Sequence, residues 1–581
     1  MIKFYNLLLF VLLAAGAIGQ TTITVTDADL ESGTYNWTSD NVYVLDGYVF
    51  LEEGGELNIE AGTVIKGKAD PSNTDITSAL IVTRGAQIFA EGTRDAPIIF
   101  TAEDDDLSDP DDLGPEDRGE WGGLILLGRA TISDDVCAAE IEGVKAVDND
   151  PRVRYGDENC NFDDTDNSGV LRFVSVRHGG SILEDGDEIN GITLGAVGSG
   201  TTIEYVEVYA NDDDGIEWFG GTVDVRFAAV AFCADDTYDW DDGFRGRGQF
   251  WFSIQGLDDG GNGGEHDGAH PDDNDPPSDP TVYNVTYIGM GANNTNDPDA
   301  EYALLMRDGT AGDYANSIFT EFPFHAIEVE DRAASNGLDS RQRLEAGDLT
   351  LKNNIWWNFG SGSELVGATN TNSIVGATGD AEDPDAMFLV NHLANNGNSL
   401  VDPQLNSISR TTDNGLDPRP SAGSPAVGGA NADFINNDDD FFVNVRYKGA
   451  FCSMGSWLNG WTALSANNHL DNNVPWADHL TCDLMTDVED IYQSDDLVTI
   501  GDVRPNPAID MTSLKLDLQR ASDVRVEIFN ALGAQVRMVF NGKLSNGEHT
   551  IDMDVSSLNA GSYTTVVRVD GRAYSIKLIV Q

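Results

Sequence analysis

The sequence predicts an all-β protein in which a long solenoid precedes a small β-sandwich. Apolar runs of about five to eight residues, such as "ALIVTRGAQIFAEGT" and "QFWFSIQG", alternate with Gly, Asn and Asp, a pattern typical of strands and turns. Three similar runs, "RFVSVRHGG", "EYVEVYAND" and "RFAAVAFCA", start about 20 to 30 residues apart, and this period favours a solenoid. The C-terminal region shows alternating strands with Gly-containing turns, which favours a separate sandwich.

The start of the solenoid has a recognisable form. "GGELNIEAGTVIKG", followed by "RGAQIFAEGTRDAPIIFTA" and "GEWGGLILLGRA", resembles the first coils of the right-handed parallel β-helix of exported bacterial proteins. The resemblance covers residues 40–460 and implies three short parallel sheets around an apolar core. The 62 glycines suit tight corners, because glycine accepts positive φ without steric cost. A β-sandwich is the alternative, and the corner glycines and similar coils favour the β-helix.

The N-terminus predicts export. "MIKFYNLLLFVLLAAGAIGQ" has a lysine before an apolar run and a small-x-small cleavage pattern, so residues 1–19 are expected to be a secretory signal peptide. The peptide does not end in a cysteine, so an N-terminal lipid anchor is not expected. The sequence contains no later apolar run of about 20 residues, so a transmembrane segment is not expected either.

The charge of the chain excludes one class of partner. The 581 residues carry 33 Lys and Arg against 99 Asp and Glu, a net charge of −66, which repels nucleic acid and attracts cations. From residue 499 onward the two signs balance at nine each, so the acidic excess lies upstream. This change predicts a β-helix region with loop insertions over residues 20–482, an acidic linker over 483–498 and a final domain over 499–581.

The final domain contains the most specific motifs. "VRPNPAIDMTSLKLDL", "VRVEIFNALGAQVRMV" and "SLNAGSYTTVVRVDGRAYSIKLIVQ" together resemble the C-terminal sorting domain of the type IX secretion system of Bacteroidota. The resemblance implies that the secretion machinery is a partner and that the protein is secreted or displayed on the cell surface, usually with this domain removed. The matching positions are Pro505, Asn506, Pro507, Gly533, Gly561, Tyr563 and Lys577.

Five cysteines fit an oxidising compartment. Proximity in sequence pairs Cys137 with Cys160 and Cys452 with Cys482 as disulfides. Cys233 lies in the apolar run "AAVAFC" and is expected to be a buried thiol.

Rows of carboxylates are the candidate functional feature. "ANDDDGIEWFGG" and "CADDTYDWDDGFRG" are about one coil apart, with 23 residues from Asp212 to Asp235, so stacking should align these two positions and bring the carboxylates within a few ångströms of one another. A bound Ca²⁺ would relieve the repulsion, because it takes six to eight oxygen ligands in irregular geometry. "DTDNSG" adds a looser candidate calcium loop. The expected ligands are Asp212, Asp213, Asp214, Glu217, Asp235, Asp236, Asp239, Asp241, Asp242, Asp164 and Asp166.

Two other interpretations of these carboxylates stay open. Catalysis would need a defined carboxylate pair or a base, for which Arg245, Arg247 and His178 are candidates. Alternatively, the acids hydrogen-bond turns and remain hydrated. His266 and His270 are expected in an exposed acidic loop. Aromatic residues would form a sugar-binding platform if exposed, or a core ladder if buried: Trp218, Phe219, Trp240, Phe244, Trp251, Trp356 and Trp357.

The sequence therefore favours a non-catalytic surface or secreted β-helix protein that acts as an adhesin or glycan-binding scaffold, rigidified by calcium, with an extracellular glycan as the possible ligand. A secreted polysaccharide lyase or glycoside hydrolase on the same fold is the second hypothesis, and a structural surface-layer component is the third.

Overall fold

The structure is a computed structural model that forms two compact units, Met1–Trp476 and Ala477–Gln581. The predicted signal peptide lies outside the described residues, as does most of the predicted acidic linker. The described residues are 20–144, 150–182, 189–271, 274–298, 300–332, 338–379, 382–430, 441–478, 482, 493–494, 498–504, 506, 508–509, 511–530, 535–556, 558, 561–569 and 572–580.

The first unit is built from short strands. Its earlier strands are β1 (Thr21–Val25), β2 (Thr34–Trp37), β3 (Asn41–Leu45), β4 (Tyr48–Leu51), β5 (Glu56–Ile59), β6 (Val64–Gly67), β7 (Ala79–Val82), β8 (Gln87–Glu91), β9 (Ile98–Ala102), β10 (Leu124–Leu127), β11 (Ala138–Glu140), β12 (Arg154–Gly156), β13 (Gly169–Arg177), β14 (Ile192–Gly195), β15 (Thr202–Tyr209) and β16 (Ile216–Phe219). Two 3-10 turns lie among them, at Asp27–Asp29 and Pro151–Val153.

The later strands continue the same pattern. They are β17 (Asp224–Ala231), β18 (Tyr238–Asp241), β19 (Arg247–Gln249), β20 (Phe252–Ile254), β21 (Glu265–His266), β22 (Thr281–Tyr283), β23 (Thr286–Ile288), β24 (Leu304–Met306), β25 (Gly312–Ala315), β26 (Ile318–Thr320), β27 (Ile327–Glu330), β28 (Leu349–Lys352), β29 (Ile355–Trp357), β30 (Val375–Thr378), β31 (Leu405–Ser407) and β32 (Asp417–Pro420). The helices are α1 (Ser340–Ala346), α2 (Met387–Asn395) and α3 (Ala463–Ala466).

Apart from the two antiparallel pairs β11–β12 and β31–β32, these strands form three parallel ladders, which confirms the predicted parallel β-helix. One ten-stranded sheet runs in the order β4-β7-β10-β14-β16-β18-β21-β24-β27-β30. The other two ladders share the long strands β13, β15 and β17 and are therefore continuous as one eighteen-stranded sheet. Each coil passes from the ten-stranded sheet through the two other ladders and back, so every coil covers the apolar face of its neighbour.

The corner within the shared strands differs from the expected glycine corner. Its left-handed residues are not glycines, and side chains stack along the corner: Phe173, Tyr205, Phe227, Phe250, Asn284, Asn316 and Asn353, with φ between 49° and 61°. The ring centroids of Phe173 and Tyr205 are 4.5 Å apart, and those of Tyr205 and Phe227 are 4.4 Å apart. Stacking and amide hydrogen bonds thus offset the backbone strain that such residues accept at positive φ.

The returning segment, residues 441–476, follows the coils and packs back onto this corner. Trp461 meets the edge of Phe173 at 5.5 Å, and Trp457 meets Phe227 at 5.5 Å. The buried Glu207 carboxylate accepts a hydrogen bond from the Ala463 backbone N–H at the start of α3 (2.6 Å). The segment therefore closes a side of the solenoid that would otherwise expose a column of aromatic rings.

Six of the seven aromatic residues considered as a sugar platform are buried, as the alternative of a core ladder predicted. Trp218 and Trp251 stack at 5.2 Å inside the coils, and both are fully buried. Phe219, Trp240, Phe244 and Trp356 are buried as well, so they offer no sugar platform. Trp357 alone among the seven is exposed, at 37%.

An inserted hairpin contains the first disulfide. Strands β11 and β12 pair antiparallel, and Cys137 and Cys160 beside them are bonded, with a Cα–Cα distance of 4.9 Å. Cys233 is a buried free thiol, as its apolar context indicated. Cys452 and Cys482 are also disulfide-bonded residues, and their pairing with each other stays a prediction.

The second unit is the small all-β domain. Its strands are β33 (Gln493–Ser494), β34 (Val498–Arg504), β35 (Met511–Leu518), β36 (Ser522–Asn530), β37 (Gln535–Leu544), β38 (Gly547–Asp554), β39 (Gly561–Val569) and β40 (Arg572–Val580). They form two antiparallel four-stranded sheets, β33-β34-β35-β38 and β37-β36-β39-β40, around an apolar core that includes Leu514, Val526 and Val567. This is the predicted Ig-like sandwich.

Candidate carboxylate site on the ten-stranded sheet

The outward face of the ten-stranded sheet contains a row of carboxylates. Along β16 and β18 the residues alternate, with Ile216, Trp218, Tyr238 and Trp240 in the apolar core. The intervening Glu217 pairs in register with Asp239, and Asp239 pairs with Glu265 of the next coil. Since neighbouring strands lie about 4.8 Å apart, three carboxylates follow one another along the solenoid axis. We call Glu217, Asp239 and Glu265 the strand column.

A second column lies three residues earlier, in the turns before these strands. It contains Asn190, Asp214, Asp236 and Asn262, joined by the hydrogen bonds from the Asp236 N–H to Asp214 Oδ1 (2.9 Å) and from the Asn262 N–H to Asp236 Oδ1. We call it the turn column. The coil offset here is 22 residues, not the 23 that would align Asp212 with Asp235, so Asp213 is the residue level with Asp235.

Three groups in these columns have the geometry of a cation site. In each group the nearest carboxylate oxygens all lie within 4.8 Å of one another. Asp214 and Asp239 each belong to two groups, so the three groups are contiguous. The groups are Asp213, Asp214 and Asp235; Asp214, Glu217 and Asp239; and Asp236, Asp239 and Glu265. These residues could hold a metal ion, and every one of them except Glu265 is a predicted ligand.

The buried members lack basic partners. Asp214, Glu217 and Asp236 are between 4% and 7% exposed. Among the described residues, neither these three carboxylates nor that of Asp239 forms an ion pair with Lys, Arg or His. A buried carboxylate without a counter-charge is costly, so each must be neutralised by a proton or by a cation.

Two polar atoms at the site have unsatisfied hydrogen-bonding capacity. Asn190 is 1% exposed, and its Nδ2 donates to Glu217 and to Glu142 (2.9 Å), while its Oδ1 has no hydrogen-bond partner. Asp239 Oδ1 is likewise buried without a partner. Buried polar atoms are almost always satisfied, so these two oxygens have free capacity to coordinate a cation at the carboxylate groups.

The pKa values of these carboxylates agree with the close spacing and burial of the groups. Burial, reinforced by neighbouring carboxylates, raises the pKa values of Asp214, Glu217, Asp236 and Asp239 well above the usual range. Burial also raises the pKa of Glu265 to about 7, although the nearby Arg307 opposes the increase. Arg307 contacts Glu265 and donates to Asp267 (2.7 Å), so it closes one end of the row with positive charge.

The other predicted ligands have different surroundings. Asp212 is half-buried near Arg118, and Asp242 accepts a hydrogen bond from the Tyr155 hydroxyl (2.7 Å). Asp241 lies on β18 level with Phe219, outside the three groups. Asp164 pairs with Arg245 (3.3 Å), and Asp166 lies against the backbone of Arg129. The structure does not bring these five together with the contiguous groups, and their role as ligands stays a prediction.

The candidate bases are not at the carboxylate row. His178 is 1% exposed and contacts the Asp117 carbonyl at 2.6 Å. Arg245 pairs with Asp164, and Arg247 pairs with Asp224. The expectation that His266 lies in an exposed loop is wrong: His266 points into the core, where its ring stacks on Trp240 at 3.3 Å.

Sequence reasoning missed the neighbours that complete the face. Glu265, Asn190 and Asn262 belong to the two columns, yet none of them was among the expected ligands. The columns continue beyond them, because Glu265 is level with Leu305, and Leu305 with Glu328. An i, i+3 spacing of polar residues, repeated from coil to coil, was the available signal: Asn190 and Thr193, Asp214 and Glu217, Asp236 and Asp239, Asn262 and Glu265.

The sorting-motif residues contribute to the second unit. Asn506 Nδ2 donates to the Lys577 carbonyl (2.8 Å), and Asn506 Oδ1 accepts from the Ile579 N–H (2.8 Å), which ties the motif to β40. Gly561 and Tyr563 lie on β39, which pairs with β40. Pro505, Pro507 and Gly533 lie outside the described residues.

Comparisons with known families agree with both units. Residues 29–395 match the family described as "Pectate-lyase like beta helix domain". Residues 502–581 match "Secretion system C-terminal sorting domain", which marks the chain for export and for the cell surface or the medium. No curated protein matches the chain. Within the described residues, no helix combines the length and apolar content that crossing a membrane requires.

Proposed function

Since the chain belongs to the pectate-lyase-like β-helix family, we propose that this exported protein is a non-catalytic adhesin or glycan-binding scaffold whose carboxylate row binds Ca²⁺ and, through it, an acidic glycan. The observation that supports this most is the set of three contiguous carboxylate groups that share Asp214 and Asp239. Within this set the buried Asp214, Glu217 and Asp236 form no ion pair with a basic residue among the described residues.

Calcium fits this row better than smaller or softer cations. The donors are all oxygens, from carboxylates and from the Asn190 amide, and no cysteine or histidine belongs to the three groups. Ca²⁺ accepts six to eight oxygens in flexible geometry, whereas Mg²⁺ demands a near-ideal octahedron and Zn²⁺ prefers nitrogen and sulfur. A bound cation would also make the row attractive to carboxylates of a glycan, which the bare acidic face repels.

Binding without turnover is favoured by what surrounds the row. Arg307, the basic residue beside it, is engaged by Glu265 and Asp267. Its burial lowers its pKa, but the hydrogen bond to Asp267 and the charges of Asp267 and Glu265 outweigh that effect and raise the pKa above the usual range. A guanidinium held in this way is a poor proton acceptor. His178 and Arg245 have partners elsewhere, so neither of these two candidate bases lies at the row.

The proposal is tested by glycan binding with and without calcium. Isothermal titration of the full exported chain with oligogalacturonate should give saturable binding in Ca²⁺ that disappears in excess chelator. Binding that is indifferent to chelator would remove the cation from the account.

A polysaccharide lyase is the second candidate, favoured by the family description and by an arginine at the end of the row. Incubation with polygalacturonate in Ca²⁺ distinguishes the two, because a lyase releases unsaturated products that absorb in the ultraviolet and a scaffold does not. The surface-layer hypothesis instead requires ordered self-assembly of the purified protein, visible by electron microscopy.

A further inference from the structure

The two columns do not end with the carboxylates. Level with Glu265, the strand column continues through Leu305 of β24 and Glu328 of β27 to Gly376 of β30. Three residues earlier in each coil, the turn column continues from Asn262 to Tyr302 and His325, and the Tyr302 N–H donates to Asn262 Oδ1 (3.1 Å). The same outward track therefore changes from carboxylate to aromatic within two coils, a step of about 10 Å.

The aromatic end is a cluster of three rings. Phe324 stacks on His325 with a centroid distance of 4.2 Å, and Tyr302 lies 5.9 Å from Phe324 and 6.3 Å from His325. Phe324 is 43% exposed, and among the described Phe and Trp residues only Trp357, at 37%, is also exposed. Its backbone is fixed on both sides, by Phe324 N–H to the Glu301 carbonyl (3.0 Å) and Ser361 N–H to the Phe324 carbonyl (3.1 Å).

A polar pair lies within the same cluster. His325 Nδ1 lies 2.7 Å from Glu328 Oε2, and both side chains are about one-tenth exposed, at 12% and 9%. Because a carboxylate only accepts, Nδ1 carries the hydrogen, and when the ring is neutral Nε2 is an acceptor. Gly376 makes room for the pair: a Cβ at that position would clash with Glu328 and His325.

We propose that this cluster is a sugar subsite, in which a pyranose ring stacks on Phe324 and a hydroxyl group donates to His325 Nε2. The apolar C–H face of a pyranose matches an exposed aromatic ring, and its rim of hydroxyls matches a fixed acceptor beside that ring. Binding sites commonly combine apolar walls with a few positioned polar groups, and the cluster has both. The subsite rests on the proposed glycan-binding function, and it places the glycan along one track with the carboxylate row.

The position of the cluster supports a sugar more than a protein partner. It lies on the same columns as the three carboxylate groups, so one extended acidic glycan could contact both ends of the track. The acidic side chains around the rings, Glu301 and Glu328, are hydrogen-bond acceptors for hydroxyl groups.

The test compares Phe324→Ala with Ile76→Ala, which removes an exposed aliphatic side chain far along the same sheet (54% exposed). Titration calorimetry of the full chain with oligogalacturonate and with oligoalginate should show binding weakened about tenfold by Phe324→Ala, equivalent to about 1.4 kcal/mol. Ile76→Ala should bind as the wild type does. Glu328→Ala should weaken binding as well, and Glu328→Gln, whose amide oxygen still accepts from Nδ1, should restore most of it.

Separate readouts distinguish this inference from the proposed cation site. Ca²⁺ affinity should be unchanged in Phe324→Ala. If chelator leaves glycan binding intact while Phe324→Ala weakens it, the cation proposal fails and the subsite stands. Equal affinity of Phe324→Ala and wild type, or no binding of either glycan by the wild type, overturns the subsite.

Discussion

Glu217 and Asp239 occupy the same register position on adjacent parallel strands, with both side chains directed away from the apolar core. A parallel β-helix repeats each outward position once per coil, so one acidic choice in successive coils produces a row with about 4.8 Å between strands. At this separation two ionised carboxylates repel strongly. The stability of the coils should therefore depend on what neutralises the row.

The pH dependence of stability follows from that repulsion. Burial raises the pKa of Glu265 in the strand column to about 7, and burial with neighbouring carboxylates raises those of Asp214, Glu217, Asp236 and Asp239 well above the usual range. The folded state thus holds protons that the unfolded state has released, so the contribution of the row to stability is greatest at low pH and falls as pH rises from about 4 through about 7.

Thermal unfolding in chelator should show a melting temperature that decreases across this range. Added Ca²⁺ should restore more stability at pH 8 than at pH 5, because protons compete with the cation at low pH. A melting temperature that increases between pH 5 and pH 8 in chelator would contradict this account of the row.

The stacked tryptophans should carry much of the stability of the coils. Trp251 packs between Trp218 and Tyr238, and its Nε1 donates to the Val225 carbonyl (3.0 Å). Trp251→Ala should lower the free energy of unfolding by about 3–5 kcal/mol. Trp357→Ala is the matched control, because removal of this exposed ring should lower the free energy of unfolding by less than about 1 kcal/mol in the same denaturant titration. Similar losses from the two variants would argue against a core ladder.

The returning segment should depend on Glu207. Its buried carboxylate accepts from Ser175 Oγ (2.6 Å) and from the Ala463 N–H, so Glu207→Ala leaves buried donors unsatisfied and should cost about 2–4 kcal/mol. Limited proteolysis should then cut near residues 441–476 sooner than in the wild type. Glu91→Ala on β8 removes an exposed ion pair with Arg172 (3.0 Å) and should leave the cleavage rate unchanged.

Asn506 should be needed for a stable sorting domain. Asn506→Ala removes both hydrogen bonds to β40 and should reduce the amount of protein that reaches the cell surface, measured by surface labelling in the native host. Met511→Ala, which removes an exposed side chain on β35, is the control. Normal display of Asn506→Ala would mean that the asparagine contributes little to sorting.

The sequence was most informative where residues repeat with a short period. Alternation in "EYVEVYAND" and "RFAAVAFCA" predicted stacked strands, and the structure places them as β15 and β17 in register. The order of the motifs around Asn506 and Tyr563 likewise indicated the sorting domain, which the family match bears out.

Other features depend on contacts distant in sequence. An error of one residue in the coil offset misaligned Asp212 with Asp235, because loops of unequal length separate the strands. His266 appeared exposed because Gly and Pro surround it, although strand alternation turns it inward onto Trp240. Glu265 and the pair His325 and Glu328 join the outward face only through register over several coils, which no local window shows.

Calcium binding by the Asp239 groups is the claim to test first. Titration calorimetry of the full exported chain with Ca²⁺ should give saturable binding that Mg²⁺ does not reproduce. Asp239→Asn should abolish or strongly weaken Ca²⁺ binding, because Asp239 belongs to two groups. Asp95→Asn, at an exposed loop, should leave the Ca²⁺ affinity unchanged. At pH 8 in chelator, Asp239→Asn should also melt at a higher temperature than the wild type, because the folded wild type must take up a proton at Asp239 that the neutral amide does not need. Absence of Ca²⁺ binding by the wild type, or equal affinity in Asp239→Asn, would contradict the account.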